Sequence, residues 1–413
     1  MDSNREFIGR ITGYGYDGEG VCRVGGKVVF IPCTLKGEQI VGEIEESRSS
    51  FCRGKLIEVQ KESEKREKSP CPYFGDCGGC AYQHTSYQNE LQIKKELLIS
   101  QLNKIGIVCY VDVVPSPCEY GYRNKIRLFV DRQGLALKRR ASGELCNIQK
   151  CLLVSEEMNR VIEILNSFIL AGNLTGKYQE VVVRQEGDKA IVNFMLSQKN
   201  GKINYQGLYL RLGKNCGIFE TYKGKMIHKI GLNVLQSEEL GLKCSFTPKS
   251  FHQVNRYLTN ILYGEAIKAL HGKTIVNCYS GAGVLSGVIA RSGKRVIGIE
   301  LGEDEHNDAE KLKDENSLFY LTNIRGDCAQ VLPRLEEKID SIIVDPPRSG
   351  LDKKVVEAIN KFDFKRLVYI SCNSATLVRD LERLEGFKVL SVSLFDMFAR
   401  TGEYEVLVIL EKI

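Results

Sequence analysis

The strongest constraint on the fold is an alternation that begins at Thr274. Short apolar runs, Thr274–Asn277, Arg295–Ile299, Ser341–Val344 and Leu367–Ile370, are separated by stretches of helical spacing. Strands that alternate with helices run parallel, because each crossover returns the chain to the same edge, and the product is a doubly wound sheet. Such a sheet gathers the segments that follow the carboxyl ends of its strands into one crevice. Here those segments are Tyr279-Ser280-Gly281-Ala282-Gly283, Glu300, Asp345-Pro346-Pro347-Arg348 and Ser371-Cys372-Asn373. The chemistry of the chain is expected there.

At 413 residues the chain exceeds what one hydrophobic core organises, so further domains precede this one. From Phe7 to Val59, short alternating runs are split by Gly13, Gly15, Gly18, Gly20, Gly25 and Gly26, which predicts a small β-barrel over 1–60. The charged stretch Lys61–Lys68 reads as a linker. Leu91, Ile93, Leu97, Leu98 and Leu102 suit one face of a helix within 83–113, and strand-like runs such as Val181–Val183 and Ala190–Val192 predict a mixed α/β central domain from 61–82 and 114–248. The catalytic domain is then 249–413. No apolar run approaches the ~20 residues of a membrane helix, and Met1–Glu6 lacks the apolar core of a secretory signal. A cytoplasmic chain with no membrane partner is expected.

The turn after Thr274–Asn277 carries Gly281 and Gly283, which let a ligand approach the backbone, and Glu300 ends the next strand, where a carboxylate can accept from ribose hydroxyls. A dinucleotide fingerprint wants a third glycine at 286, where this chain has Ser286. S-adenosylmethionine has no pyrophosphate to cradle and fits better. Asp-Pro-Pro turns occur in methyltransferases that modify exocyclic amines, where an aromatic residue follows to stack on the base. Arg348 follows here, which points to another acceptor atom.

Cys372 is aimed at the same crevice. A lone cysteine is more often a small buried hydrophobe, but its position at a strand's carboxyl end favours a nucleophile. Carbon 5 of uracil is too electron-poor to attack a methyl sulfonium. A thiolate added at carbon 6 makes the ring an enolate that is nucleophilic at carbon 5. The adduct collapses only after a base removes the carbon-5 proton. Glu403 and Glu405 share one face of the run Glu403–Val408 by alternation, and an exposed acidic pair on an edge strand is the plainer account of that pattern.

Fifteen cysteines, odd in number and scattered, point to reduced thiols or metal ligands. Cys71, Cys77 and Cys80 lie within ten residues, and a fourth thiol from Cys146 or Cys151 would close a sulfur site for zinc or an iron–sulfur cluster. The net charge of +6 is unevenly spread: residues 1–60 hold 8 Lys/Arg and 9 Asp/Glu, residues 81–150 hold 11 and 6. The run Tyr122–Arg127 and the turn Lys138-Arg139-Arg140 are candidates for phosphate contact, with a solvated basic face as the alternative.

Taken together, Cys71-x5-Cys77-x2-Cys80 with Cys151, Tyr120–Lys125, Ser250–Asn255, Asp345–Arg348, Ser371–Asn373 and Asp396–Phe398 resemble the RNA 5-methyluridine methyltransferases, in particular the branch acting on 23S ribosomal RNA. The matching stretches span nearly the whole chain. The resemblance implies Cys372 as nucleophile, Glu405 as base, and Gln253, Tyr279, Glu300 and Asp345 as S-adenosylmethionine contacts. It also implies an OB-like TRAM domain over 1–60 and a [4Fe–4S] cluster on Cys71, Cys77, Cys80 and Cys151. RNA is the implied partner, 23S ribosomal RNA ahead of transfer RNA, and a monomer the implied state. Ser374, Ala399, Glu403, Asn277 and Ser280 depart from the family pattern, and none removes a residue given a chemical step.

Overall fold

A computed structural model describes residues 6–140, 142–172, 174–175, 178–197, 202–250 and 252–413. Phe251, within the Ser250–Asn255 motif, lies outside the described residues. The described chain forms two units. One runs up to Ser100 and includes Leu137–Cys146 and Phe398–Tyr404; the other holds Gln101–Ala136, Asn147–Met397 and Glu405–Ile413.

The first unit is built on strands β1 (Glu6–Arg10), β2 (Gly13–Tyr14), β3 (Gly20–Val24), β4 (Lys27–Ile31), β5 (Gln39–Ser47) and β6 (Phe51–Lys61), in the order β1-β5-β6-β4-β3-β2. Ile11, Cys22, Val29, Ile31, Ile40 and Cys52 form its apolar core. The early glycines are required at particular points. A Cβ on Gly20 would stand 2.0 Å from Thr34 Oγ1, while Gly25 and Gly26 turn the β3–β4 hairpin with positive φ. Helix α1 (Tyr87–Lys104) follows, and a short strand, β7, occupies Val111–Val114.

Strands β8 (Lys125–Asp131), β9 (Gly134–Lys138), β10 (Leu145–Asn147), β12 (Tyr178–Glu186), β13 (Lys189–Leu196), β15 (Cys216–Tyr222) and β16 (Lys225–Gly231) make a sheet of order β10-β9-β8-β12-β13-β15-β16. Helices α2 (Glu156–Leu170) and α3 (Tyr205–Leu212), the short pair β11 (Leu174–Thr175) and β14 (Lys202–Ile203), and the hairpin β17 (Leu235–Glu239) and β18 (Leu242–Phe246) complete that region.

Helix α4 (Arg256–Lys268) leads into the doubly wound part. This comprises β19 (Thr274–Cys278), α5 (Val284–Arg291), β20 (Arg295–Glu300), α6 (Glu303–Glu315), β21 (Leu321–Arg325), α7 (Cys328–Val331), β22 (Ser341–Val344), α8 (Lys353–Lys361), β23 (Arg366–Ser371), α9 (Ser374–Arg383), β24 (Phe387–Phe395) and β25 (Glu405–Lys412). The eight-stranded sheet has the order β21-β20-β19-β22-β23-β25-β24-β7. β19 through β23 pair in parallel, whereas β25 is antiparallel to both β23 and β24.

Two expectations need correction. The predicted boundary at 113/114 cuts through β7, which pairs in parallel with β24 and supplies the edge of the catalytic sheet. The predicted split at 248/249 falls inside one unit, which holds Asn147–Met397, whereas 61–82 of the predicted central domain belong to the other. Arg184 Nη1 donates to Ser250 O at 2.7 Å, Asn124 N donates to Val254 O at 3.1 Å, and Arg123 and Asn255 form a β-bridge. The motifs around Tyr122 and Gln253, far apart in sequence, are therefore one hydrogen-bonded structure.

Candidate active site

Parallel pairing sets Tyr279, Glu300, Asp345 and Cys372 at the exits of β19, β20, β22 and β23, all on one edge of the sheet. β25 runs the other way, so it is its amino end that reaches this edge. Ser371 is paired with Val406 and Phe395 with Glu405. Cys372 is the residue after the last of β23 and Glu405 the first of β25, so both stand at the same end of this strand pair. The expectation that Glu403 and Glu405 share an edge-strand face is overturned. β25 begins at Glu405, lies between β23 and β24, and is buried from Glu405 to Leu410, with Glu405 itself only 3% exposed.

Electrostatics report the same proximity. The Cys372 thiol is pushed up to about 12 by burial and by the negative charges of Glu405 and Asp345, with Arg348 acting in the opposite sense. Burial raises Asp345 to about 7. The support beneath Cys372 is rigid: Tyr369 is fully buried, and its hydroxyl donates to Asp380 Oδ2 at 2.9 Å, an oxygen that also accepts from Leu351 N at 2.7 Å. Asn373 caps α9 by accepting from Ala375 N and Thr376 N, and its Nδ2 donates to Arg348 O at 3.1 Å, joining the cysteine loop to the Asp-Pro-Pro-Arg turn.

The ligand turn after β19 has the geometry that its glycines predict. Tyr279, Gly281 and Gly283 all have positive φ, and a Cβ on Gly283 would stand 2.8 Å from that of Ala309. Beside Gly281 there is open space within 4 Å of a virtual Cβ. Glu300 is oriented by two backbone groups, accepting from Gly281 N and from Gly302 N at 2.8 Å each, and each oxygen keeps a lone pair for a further donor. Asn277 and Ser286, the latter in place of the third glycine, form a buried pair, Nδ2 to Oγ at 2.8 Å. Gln253 is half-buried, two residues before Asn255, the cap of α4.

Sequence reasoning missed Tyr263. It lies on α4, and its phenol is raised well above the usual tyrosine range by burial and by the charges of Asp345, Glu239 and Glu405. Within an amphipathic helix a tyrosine carries no signal that separates a crevice residue from a core one.

The tRNA (Uracil-5-)-methyltransferase family matches residues 232–413, and the TRAM domain matches residues 3–57. An uncharacterized RNA methyltransferase of Caldanaerobacter subterraneus is 31% identical over 96% of this chain and 96% of its own length. The 23S rRNA (uracil(1939)-C(5))-methyltransferase of Francisella tularensis is 30% identical over 98% of this chain and 97% of its own. The chain belongs to the RNA uracil-C5 methyltransferases. Its fold is that of the Pyrococcus abyssi tRNA (uracil-54, C5)-methyltransferase, whose structure holds S-adenosyl-L-homocysteine; the two agree with a TM-score of 0.83 at 24% identity, over 98% of this chain and 100% of the other. This uracil-C5 methyltransferase thus has an amino-terminal TRAM domain and a carboxyl-terminal methyltransferase fold, and it uses S-adenosylmethionine. No helix among its described residues is long and apolar enough to cross a membrane.

The cysteine motif of this methyltransferase is braced by the turn Lys138–Arg140. Gly78 N donates to Lys138 O at 2.9 Å, Arg139 pairs with Asp76, and Arg140 Nη2 donates to Cys80 O at 2.6 Å. Two sulfurs receive N–H donors: Gly79 N points at Cys77 Sγ at 3.4 Å and Gln83 Nε2 at Cys80 Sγ at 3.1 Å. Cys146 is pushed up to about 12 by burial and a hydrogen bond to Asp76, which keeps it a thiol. In the other unit, Asn159 fixes the Cys151 backbone through its N–H and its carbonyl. The donor set is chemically suited to a soft metal. Among the described residues, however, no three His, Cys, Asp or Glu side chains come together to hold one, so the expected cluster has no assembled site in this structure.

Proposed function

We propose that Cys372 and Glu405 are the nucleophile and base of uridine C5 methylation, and that Gln253, Tyr279, Glu300 and Asp345 hold S-adenosylmethionine. What supports the reading is the reversed strand β25, whose first residue, Glu405, lies at the end of the sheet that also bears Cys372, Glu300 and Asp345. The Cys372 thiol loses its proton to solvent, the thiolate adds to carbon 6 of the uracil, and the displaced π electrons make carbon 5 nucleophilic. Bound S-adenosylmethionine supplies the methyl group. Glu405 then takes the carbon-5 proton, the C–H pair re-forms the 5,6 double bond, and the thiolate leaves carbon 6. Glu405 is only 3% exposed, which limits the access of bulk water to that carboxylate. For attack on carbon 6 across the ring face, the target uridine must be unpaired or extruded from its stack.

Large-subunit ribosomal RNA is the proposed substrate, on the end-to-end similarity to the Francisella tularensis enzyme. Transfer RNA is the second reading, favoured by the likeness to the Pyrococcus abyssi fold. The TRAM domain carries 8 basic and 9 acidic residues over 1–60, so it would contribute to RNA binding through stacking and shape more than charge. A [4Fe–4S] cluster on Cys71, Cys77, Cys80 and Cys151 remains our reading of the cysteine motif, supported by the N–H donors on Cys77 and Cys80. Iron and sulfide analysis of anaerobically purified protein tests it, and a colourless zinc protein refutes it. The enzyme is placed in the cytoplasm as a monomer.

The decisive experiment mixes the protein and labelled S-adenosylmethionine with unmodified 23S ribosomal RNA and, separately, transfer RNA. Label should enter uridine C5 of the ribosomal RNA, and Cys372→Ala should abolish it. Equal incorporation by Cys372→Ala would overturn the covalent mechanism.

A further inference from the structure

We infer that Asn255 is a positioning residue for the base step, holding the cofactor segment and the strand pair that carries Glu405 in fixed relation. Asn255 is completely buried and caps α4, where its Oδ1 accepts from Leu258 N at 3.3 Å. Capping uses only half of the amide. The Nδ2 group donates at 2.9 Å to Ser116 Oγ and at 3.3 Å to Met397 O. Ser116 lies just past β7, Met397 lies just past β24, and Gln253 lies two residues before Asn255 itself. One NH2 therefore ties the segment that carries Gln253 to the ends of the paired strands β7 and β24.

Each segment leads to the reacting groups by a short path. Met397 N donates to Phe395 O at 2.8 Å, and Phe395 is the cross-strand partner of Glu405. Asp396 N donates to Val114 O at 3.0 Å, so β7 and the end of β24 move together. The helix cap, by contrast, is held redundantly. Thr259 Oγ1 donates to Asn255 O at 2.8 Å, and Leu258 N and Thr259 N also donate to that carbonyl. An N-cap alone is served as well by serine, threonine or aspartate. The part of asparagine that the fold uses beyond capping is its pair of donor hydrogens.

This inference rests on the assignment of Glu405 as base. Proton removal from carbon 5 needs the carboxylate within hydrogen-bond reach of a fixed carbon, and a misplacement of about 1 Å costs roughly a hundredfold. Addition by Cys372 depends on the β23 loop, which Asp380 and Arg348 O hold independently of Asn255. Loss of the NH2 donors is therefore expected to slow release from the adduct more than its formation.

The test compares wild type, Asn255→Ser, Asn255→Asp and Glu405→Gln in single turnovers with S-adenosylmethionine and an RNA that the wild type methylates. Methyl transfer and the fraction of protein covalently bound to RNA on denaturing gels are followed together. Serine keeps a cap without reaching Met397 O; aspartate keeps the shape and loses the donors. Both are expected to accumulate methylated adduct, as Glu405→Gln does, with turnover reduced ten- to a hundredfold and methyl transfer changed far less. If Glu405→Gln accumulates adduct while the folded fraction of both Asn255 variants turns over like wild type, Asn255 is only a helix cap and the inference fails. If Glu405→Gln itself clears its adduct at the wild-type rate, the assignment of the base is what has failed, and the inference goes with it.

Discussion

Replacing Glu405 with glutamine should make Cys372 more reactive toward a simple electrophile while destroying turnover. In the free enzyme the thiol titrates at about 12, so at pH 8 roughly one molecule in ten thousand carries a thiolate, against about one in four for an unperturbed cysteine. Alkylation by iodoacetamide should then be slower than that of a model thiol by roughly three orders of magnitude. Glu405 acts on the Cys372 thiol from one step beyond the last pair of β23 and β25, and adjacent cross-strand side chains lie about 5 Å apart. A unit charge at that distance acts with about 3 kcal/mol at an effective dielectric near 20, an upper bound of about two pK units. Removing the charge lowers the thiol pKa and should accelerate alkylation of Cys372 by ten- to a hundredfold at fixed pH. The assay is mass-spectrometric quantification of the Cys372 peptide after timed exposure between pH 7 and 10, with Arg348→Ala as the opposite control, which should slow it. If Glu405→Gln leaves the alkylation rate unchanged, the two groups do not share the edge of the sheet as the register of β23 and β25 requires.

Three further outcomes are expected. Asp345, raised to about 7 by burial, is neutral below that pH and ionised above it, so S-adenosylmethionine affinity measured by calorimetry should rise from pH 6 to 8 and become flat in Asp345→Asn. Gly283→Ala places a Cβ 2.8 Å from Ala309 at a φ of +80°, and should cost about 1–2 kcal/mol in conformational strain alone and weaken cofactor binding; an unchanged melting temperature and affinity would contradict the tight turn. Tyr369→Phe removes the hydroxyl that Asp380 accepts, and should lower stability in urea by about 1.5 kcal/mol while methyl transfer by the folded protein persists.

Most of the catalytic sheet was legible because its strands are buried on both faces and read as unbroken apolar runs: the expected Ser341–Val344 is β22, and Thr274–Asn277 falls one residue short of β19. Cys372 and Glu300 were legible through position, since a strand's carboxyl end is a fixed place in a parallel sheet. What sequence could not give was direction. β25 reads as one more apolar strand, and neither its antiparallel sense nor its seat between β23 and β24 is encoded by composition, so the placing of Glu405 at the Cys372 end of the strand pair needed the register. β7 failed for a different reason: four residues, Val111–Val114, are too few for periodicity to assign them to a sheet completed hundreds of residues later. The basic turn Lys138–Arg140 has a role that its charges alone do not announce: Arg139 and Arg140 also engage Asp76 and the Cys80 carbonyl.

The reversed strand also orders events during synthesis. β23 and its cysteine emerge before β24, and β24 before β25, yet β25 is the strand that lies between the other two. A nascent chain that has made Cys372 thus has a gap in its sheet until β25 slides in, and the one insertion that completes the sheet also brings Glu405 to the end of β23.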